Sequence, residues 1–219
     1  MSSNTRSTRE GGSAIVEFVL AVSLFWVPLF LGTLVLGFNL IRAIQVTQVC
    51  RDAAHMYSYG VDFTETSYQT LLANLAAGLS LTVSGDSPPF GGTTGSAVII
   101  LSTISYVDQT ACTAGGYSNS ACSNLNSTVF TRQIVIGNSA LHSSAFGTPL
   151  ASDLDSSGNV SSAGYLTHTG DKASNFSPQV LSLTSSTQFA YVAEMWVQSS
   201  NMNWWSFLGT PIVSSRAIF

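Results

Sequence analysis

Charge is what this chain has least of. Only 8% of its 219 residues are Asp, Glu, Lys or Arg, against about 25% in ordinary soluble domains. Seven cationic side chains cannot build the basic face that phosphates require, which argues against nucleic acid as a partner. The net charge of −4 is mild and names no partner. Cysteine is scarce too. Cys50, Cys112 and Cys122 have no metal-ligand company at zinc spacing. The three histidines, His55, His142 and His168, have no spacing partner for a metal or catalytic motif, and there is no G-x-S-x-G. No catalytic constellation is in view, so an enzyme is not expected. Ser, Thr, Asn and Gly fill most of what the 45% of hydrophobic residues leave.

The shortage of charge is concentrated in one place. From Phe18 to Ile41 there is no charged side chain. Those 24 residues, at about 1.5 Å of rise each, make a helix of roughly 36 Å, enough to cross about 30 Å of hydrocarbon. Glu17 stands at its mouth, where a sunken carboxylate costs about 2.5–3.5 kcal/mol and defaults to a functional hypothesis. Pro28 lies inside the run; lacking an N–H, it frees the carbonyl of Leu24 and is expected to kink the helix. Residues 1–12 read as a flexible leader carrying Arg6 and Arg9. The apolar run exceeds a signal peptide's usual 7–15 residues and ends in no small-x-small cleavage site, so the competing reading is an uncleaved signal anchor. Arg6 and Arg9 before the span balance Arg42 and Arg51 after it. The few cations beyond, together with the cysteine pair there, favour a cytoplasmic N-terminus and an extracytoplasmic C-terminal domain.

The helical pattern continues past the span. Val46, Val49, Cys50, Ala53 and Tyr57 form one apolar stripe, with Gln45, Gln48, Asp52 and His55 largely opposite. One helix is expected over residues 13–60, with about 18–41 in lipid and Gly60 as its stop. A second helix is expected from Thr64, its N-cap, to Gly78, burying Tyr68, Leu71, Leu72, Leu75 and Leu79. Ser84–Gly95 breaks the pattern. Strand signals follow at Ala97–Val107, Val129–Ile136, Gln188–Val197 and Ile212–Phe219. The expected class is α+β: a long transmembrane helix running into a small domain, residues 61–219, with a mostly antiparallel sheet. Asn138–Pro178, rich in Ser and Gly, reads as a structured loop or a short-strand excursion on the surface.

Three further features carry candidate chemistry. Cys112 and Cys122 bracket a Gly/Ser/Asn segment, either as two free thiols or as one loop-closing disulfide; the disulfide is the expectation and implies an oxidising compartment. Asp153-x-Asp155-x-Ser157-Gly158-Asn159-Val160 resembles the first half of a calcium loop, with alternating oxygens and a glycine at the turn. Its twelfth position is Gly164 rather than a bidentate Glu, so a plain Asx-rich turn competes with calcium at Asp153, Asp155, Ser157 and Asn159. Trp204, Trp205, Phe207 and Leu208 either anchor a partner or membrane face or cap the core.

A short basic leader, Gly11-Gly12, then Ser13-Ala14-Ile15-Val16-Glu17-Phe18 opening an apolar helix with Pro28, and later Gly37-Phe38-Asn39 and Ala53-Ala54, resembles a type IV prepilin-like N-terminus. More narrowly, it resembles the TadE family of tight-adherence pilus pseudopilins. The resemblance covers about the first 60 residues. It implies cleavage by a prepilin peptidase between Gly12 and Ser13. It implies assembly through Glu17, Phe18 and Pro28 with other pilin-like subunits and the pilus machinery, in a bacterial inner membrane. There the Glu17 carboxylate of one subunit would answer the new Ser13 ammonium of a neighbour. It also implies a minor rather than a major subunit, since major pilins of such systems are much shorter. The alternative reading is an uncleaved, membrane-anchored binding or adhesion module.

Overall fold

A computed structural model describes residues 11–83, 87–177, 181–198 and 212–219. Most of the leader and the Trp204-Trp205 segment lie outside the described residues. The chain divides into two units, Met1–Ile41 and Arg42–Phe219.

In the first unit, helix α1 (Gly11–Ala21) is followed by a π turn, Val22–Trp26, and then by the start of helix α2 (Val27–Ser58). The π turn sits just ahead of Pro28. Val27 N–H reaches back five residues to Val22 O, so the disturbance expected at the proline appears as one widened turn beside it. The helix from Ala14 to Ser58 is long and apolar enough to cross a membrane. Its first part turns Leu, Phe, Val and Trp side chains outward: Phe18 and Leu36 are each 70% exposed. In water that surface would be a heavy liability; in lipid it is the ordinary condition of a spanning helix.

The second unit is built on a five-stranded sheet in the order β1-β3-β2-β4-β5, comprising β1 (Phe90–Gly92), β2 (Ala97–Val107), β3 (Ser127–Asn138), β4 (Phe189–Gln198) and β5 (Ile212–Ile218). β1 runs parallel to β3; every other pairing is antiparallel. The α+β expectation therefore holds, with one short parallel edge strand added. On one face, Ile99, Leu101, Ile134, Ile136, Ala193, Met195 and Val197 pack under Val46, Val49, Cys50, Ala53 and Tyr57 of α2. The stripe read at helical spacing is thus the buried face, while Gln45, Gln48, Asp52 and His55 are exposed.

Helix α3 (Thr66–Leu75) covers the rest of that face, and here two expectations fail. Thr64 is not the cap. Its N–H and hydroxyl donate to Asp62 Oδ1 at 3.1 and 2.9 Å, closing a turn before the helix, and Glu65 stands at the N-cap without a side-chain bond. Nor are Tyr68, Leu71 and Leu75 buried; the face turned inward is Gln69, Leu72, Ala76 and Leu79. Gln69 Nε2 donates to Phe63 O at 2.8 Å, so the approach to the helix fixes which side faces the sheet.

The sheet is covered on its second face as well. Opposite Thr103 and Ile104 the register with β3 slips by one residue, pairing them with Arg132 and Phe130 and leaving Thr131 as a bulge. That slip turns Phe130 to the far side, where it joins Ile104, Ala190 and Val192 under Phe146, Val160, Ala173 and Phe176. The segment after β3 is therefore a second layer rather than a surface excursion. Bridges Val129–Lys172 and Arg132–Asn159 tie it to β3. Gly158 makes the approach feasible: its φ is +76°, and a Cβ there would lie 2.4 Å from Gln133 O.

Candidate functional site

Gly12 and Ser13 are the second and third residues of α1. Helix therefore begins before the expected cleavage point. Two consecutive glycines, each about 1 kcal/mol worse than Ala in a helix, make this first turn the easiest to open. Glu17 and Phe18 lie one turn further on, both exposed. Ser13 and Glu17 are four residues apart, or about 6 Å of helical rise. Among the described residues of the first unit, Glu17 is the acidic side chain.

Cys112 and Cys122 form a disulfide, with Cα atoms 5.9 Å apart. It ties α4 (Gln109–Ala114) to the turn before β3 and packs with Val107, Val129 and Leu166. Asp108 caps α4 by accepting Ala111 N–H at 2.8 Å, and its other oxygen accepts Ser186 N–H at 3.0 Å. Those N–H groups, Ser186 first, hold its carboxyl below the usual range. Cys50 is free and buried, and burial pushes its thiol up to about 11.

The calcium-like segment is divided between two tasks. Asp155 Oδ1 accepts the N–H groups of Ser157 and Asn159, both at 2.8 Å, and Oδ2 accepts Asn159 Nδ2 at 3.0 Å. This is an Asx turn whose acidic and amide side chains are already satisfied by one another. Asp153 looks elsewhere. Its Oδ2 lies 2.5 Å from His168 Nδ1, and Asp171 completes a group whose ligand-type atoms lie within 4.8 Å of one another. His168 and Asp171 were not legible as partners, being 15 and 18 residues along from Asp153 in non-periodic chain. The His168 side chain and then burial act on Asp153, and the net effect holds its carboxyl low. The same contact raises His168. Burial pushes Asp171 up. The other histidines are in aromatic contacts: His142 stacks on Trp196 with centroids 4.2 Å apart, and His55 tilts against Phe219 at 4.7 Å.

A second acid is buried away from this group. Glu194, fully buried on β4, accepts from Arg216 Nε at 3.0 Å, from Ser144 Oγ and from Ala145 N–H at 3.3 Å. The alternation of β4 places it on the inner side, and Arg216 on the neighbouring strand was the available signal.

Most of the long apolar helix, from Gly12 onward, is similar to a known family. Residues 12–55 match the family described as TadE-like protein. The TadE-like segment takes in Gly12, Ser13, Glu17, Phe18 and Pro28 and ends at His55, within α2. No curated protein and no solved structure matches the chain.

Proposed function

We propose that this chain is a pilin-like structural or assembly subunit of a tight-adherence pilus. It is held in a bacterial inner membrane by its N-terminal helix, with the N-terminus cytoplasmic and the disulfide-bonded domain in the periplasm. The observation that carries this reading is the TadE-like match over residues 12–55, on a helix apolar enough to span a membrane and bearing Glu17 near its start. A disulfide in the second unit suits an oxidising compartment.

The mechanism follows from desolvation. A prepilin peptidase cuts between Gly12 and Ser13, opening the weak first turn, and leaves an ammonium at Ser13. Glu17 of one subunit pairs with that ammonium on a neighbour. In a low-dielectric bundle either charge alone is penalised, so the pair sets register as well as attraction. Phe18 and the widened turn before Pro28 shape the packing surface between helices. The subunit acts by helix association in lipid and by extraction into the filament or its base, without turnover.

Glu17→Ala tests this. The variant should insert in the membrane, keep the thermal stability of the folded unit and lose incorporation into pili. Normal piliation by Glu17→Ala would contradict the proposal.

A further inference from the structure

The second unit contains a group of side chains outside the helix on which the pilus proposal rests. Asp171 is fully buried in the layer that covers the second sheet face. Its Oδ1 accepts Leu150 N–H at 2.7 Å. Its Oδ2 is buried, receives no N–H or hydroxyl hydrogen, and faces the Asp153 carboxyl instead. An unsatisfied buried acceptor is costly, and more so when it is charged. That oxygen is turned toward Asp153. A Cβ built on Gly164 would lie 2.9 Å from Asp171 Oδ2 and 2.9 Å from both Cβ and Cγ of Asp153. Two carboxylates therefore converge on one point of backbone, and only a residue without a side chain leaves them room. Asp153 is 9% exposed at its side chain, so bulk water does little to screen the two carboxyl groups from each other. His168, half exposed, closes the third side through Nδ1.

We propose that Asp153, His168 and Asp171 form a binding site for a divalent first-row transition cation, with Zn²⁺ as the probe. Two carboxylates offset the double charge. An imidazole nitrogen selects this class over calcium and magnesium, which prefer all-oxygen shells. Bonds of about 2.0–2.2 Å span ligand atoms up to about 4.4 Å apart; the three ligand atoms lie within 4.8 Å of one another, so the side chains close in slightly around the ion. The ion enters between His168 Nδ1 and Asp153 Oδ2, and the exposed ring has freedom to swing outward for it. Water fills the remaining positions on the open side. The ligands come from two 3-10 turns, Ala151–Asp153 and Thr169–Asp171, and from the residue that ends α5 (Ser162–Thr167). One ion therefore pins two pieces of the covering layer together, the turn ending at Asp153 and the stretch from His168 to Asp171.

The site differs from the calcium loop suggested by residues 153–159, because Asp155, Ser157 and Asn159 take no part. It is also independent of the pilus proposal, since it lies wholly within the second unit.

The test uses the full chain in detergent micelles, without a histidine tag and stripped by a chelator. Zn²⁺ is titrated by calorimetry and thermal melting, with Ca²⁺ as the comparison. The proposal expects one Zn²⁺ per chain and a melting temperature raised by about 5–10 °C at a hundredfold excess over Kd. His168→Ala should lose at least tenfold in Zn²⁺ affinity, and its own metal-free melt is the reference for its Zn²⁺ shift because the contact with Asp153 is lost as well. Asp171→Asn should lose more. No Zn²⁺ binding, equal binding by His168→Ala, or Ca²⁺ bound more tightly than Zn²⁺ would each overturn the proposal.

Discussion

Arg216 on the last strand holds a carboxylate that water does not reach: its Nε and second guanidinium nitrogen lie 3.0 and 2.9 Å from Glu194 Oε1. The guanidinium also covers the Phe146 ring at 4.4 Å, so one side chain joins the edge strand to the covering layer. Removing one member of a fully buried pair costs about 3–5 kcal/mol. Arg216 is 41% exposed, so the smaller loss of about 2–3 kcal/mol is expected for Arg216→Ala. Glu194→Gln, which removes the buried charge, should cost less. Denaturant melts of the full chain in micelles check the order; equal stability of Arg216→Ala and wild type would remove the pair from the account.

The inward face of α3 makes a second prediction. Leu72 is fully buried and Leu75 is 51% exposed. Leu72→Ala should cost about 2–5 kcal/mol, and Leu75→Ala no more than about 0.5 kcal/mol. Similar losses at both positions would favour the leucine-rich face instead.

That contrast shows where the sequence was readable. The long apolar helix announces itself through a long gap in charge, and the stripe from Val46 to Tyr57 through its spacing, because both signals are local. β2 and β4 are legible in their runs of Val, Ile and Ala. The face of α3 is not legible, because leucine content does not say which side the sheet will cover. Gln69 anchors the choice through a carbonyl six residues upstream. The three residues of β1 are too few for any periodic signal. Asp153 stands out in the sequence, but its partners His168 and Asp171 arrive by tertiary folding of an aperiodic segment. Phe130 faces the second layer only because Thr131 bulges, which no alternation rule foresees.

Closing the Cys112–Cys122 loop, a separation of 10 residues, removes chain entropy worth about 2–3 kcal/mol from the unfolded state. Reduction, or Cys112→Ser with Cys122→Ser, should destabilise the second unit by that amount. Cys50 should stay unreactive toward alkylating reagents in the native state, because burial holds its thiol well above neutral pH.

Asp62 supplies a pH dependence. Burial pushes its carboxyl up, but Thr64 and Arg132, whose guanidinium lies 2.6 Å away, outweigh that and bring it below its ordinary value of 3.8. A depressed pKa means the folded state holds its proton less tightly. The stabilisation is present above the ordinary value and is lost as pH falls through the folded one. The melting-temperature gap between wild type and Asp62→Asn should therefore be constant near neutrality and close below about pH 4. A gap that persists at pH 2 would contradict the assignment.

The N-terminal residue of the protein, extracted from membranes of cells with an active prepilin peptidase and read by mass spectrometry of its first peptide, bears most directly on the pilin-like role. The account predicts Ser13, with Gly12 and everything before it removed. A chain still beginning at Met1 in those cells would contradict it and leave an anchored domain whose helix never meets a neighbour's liberated amine.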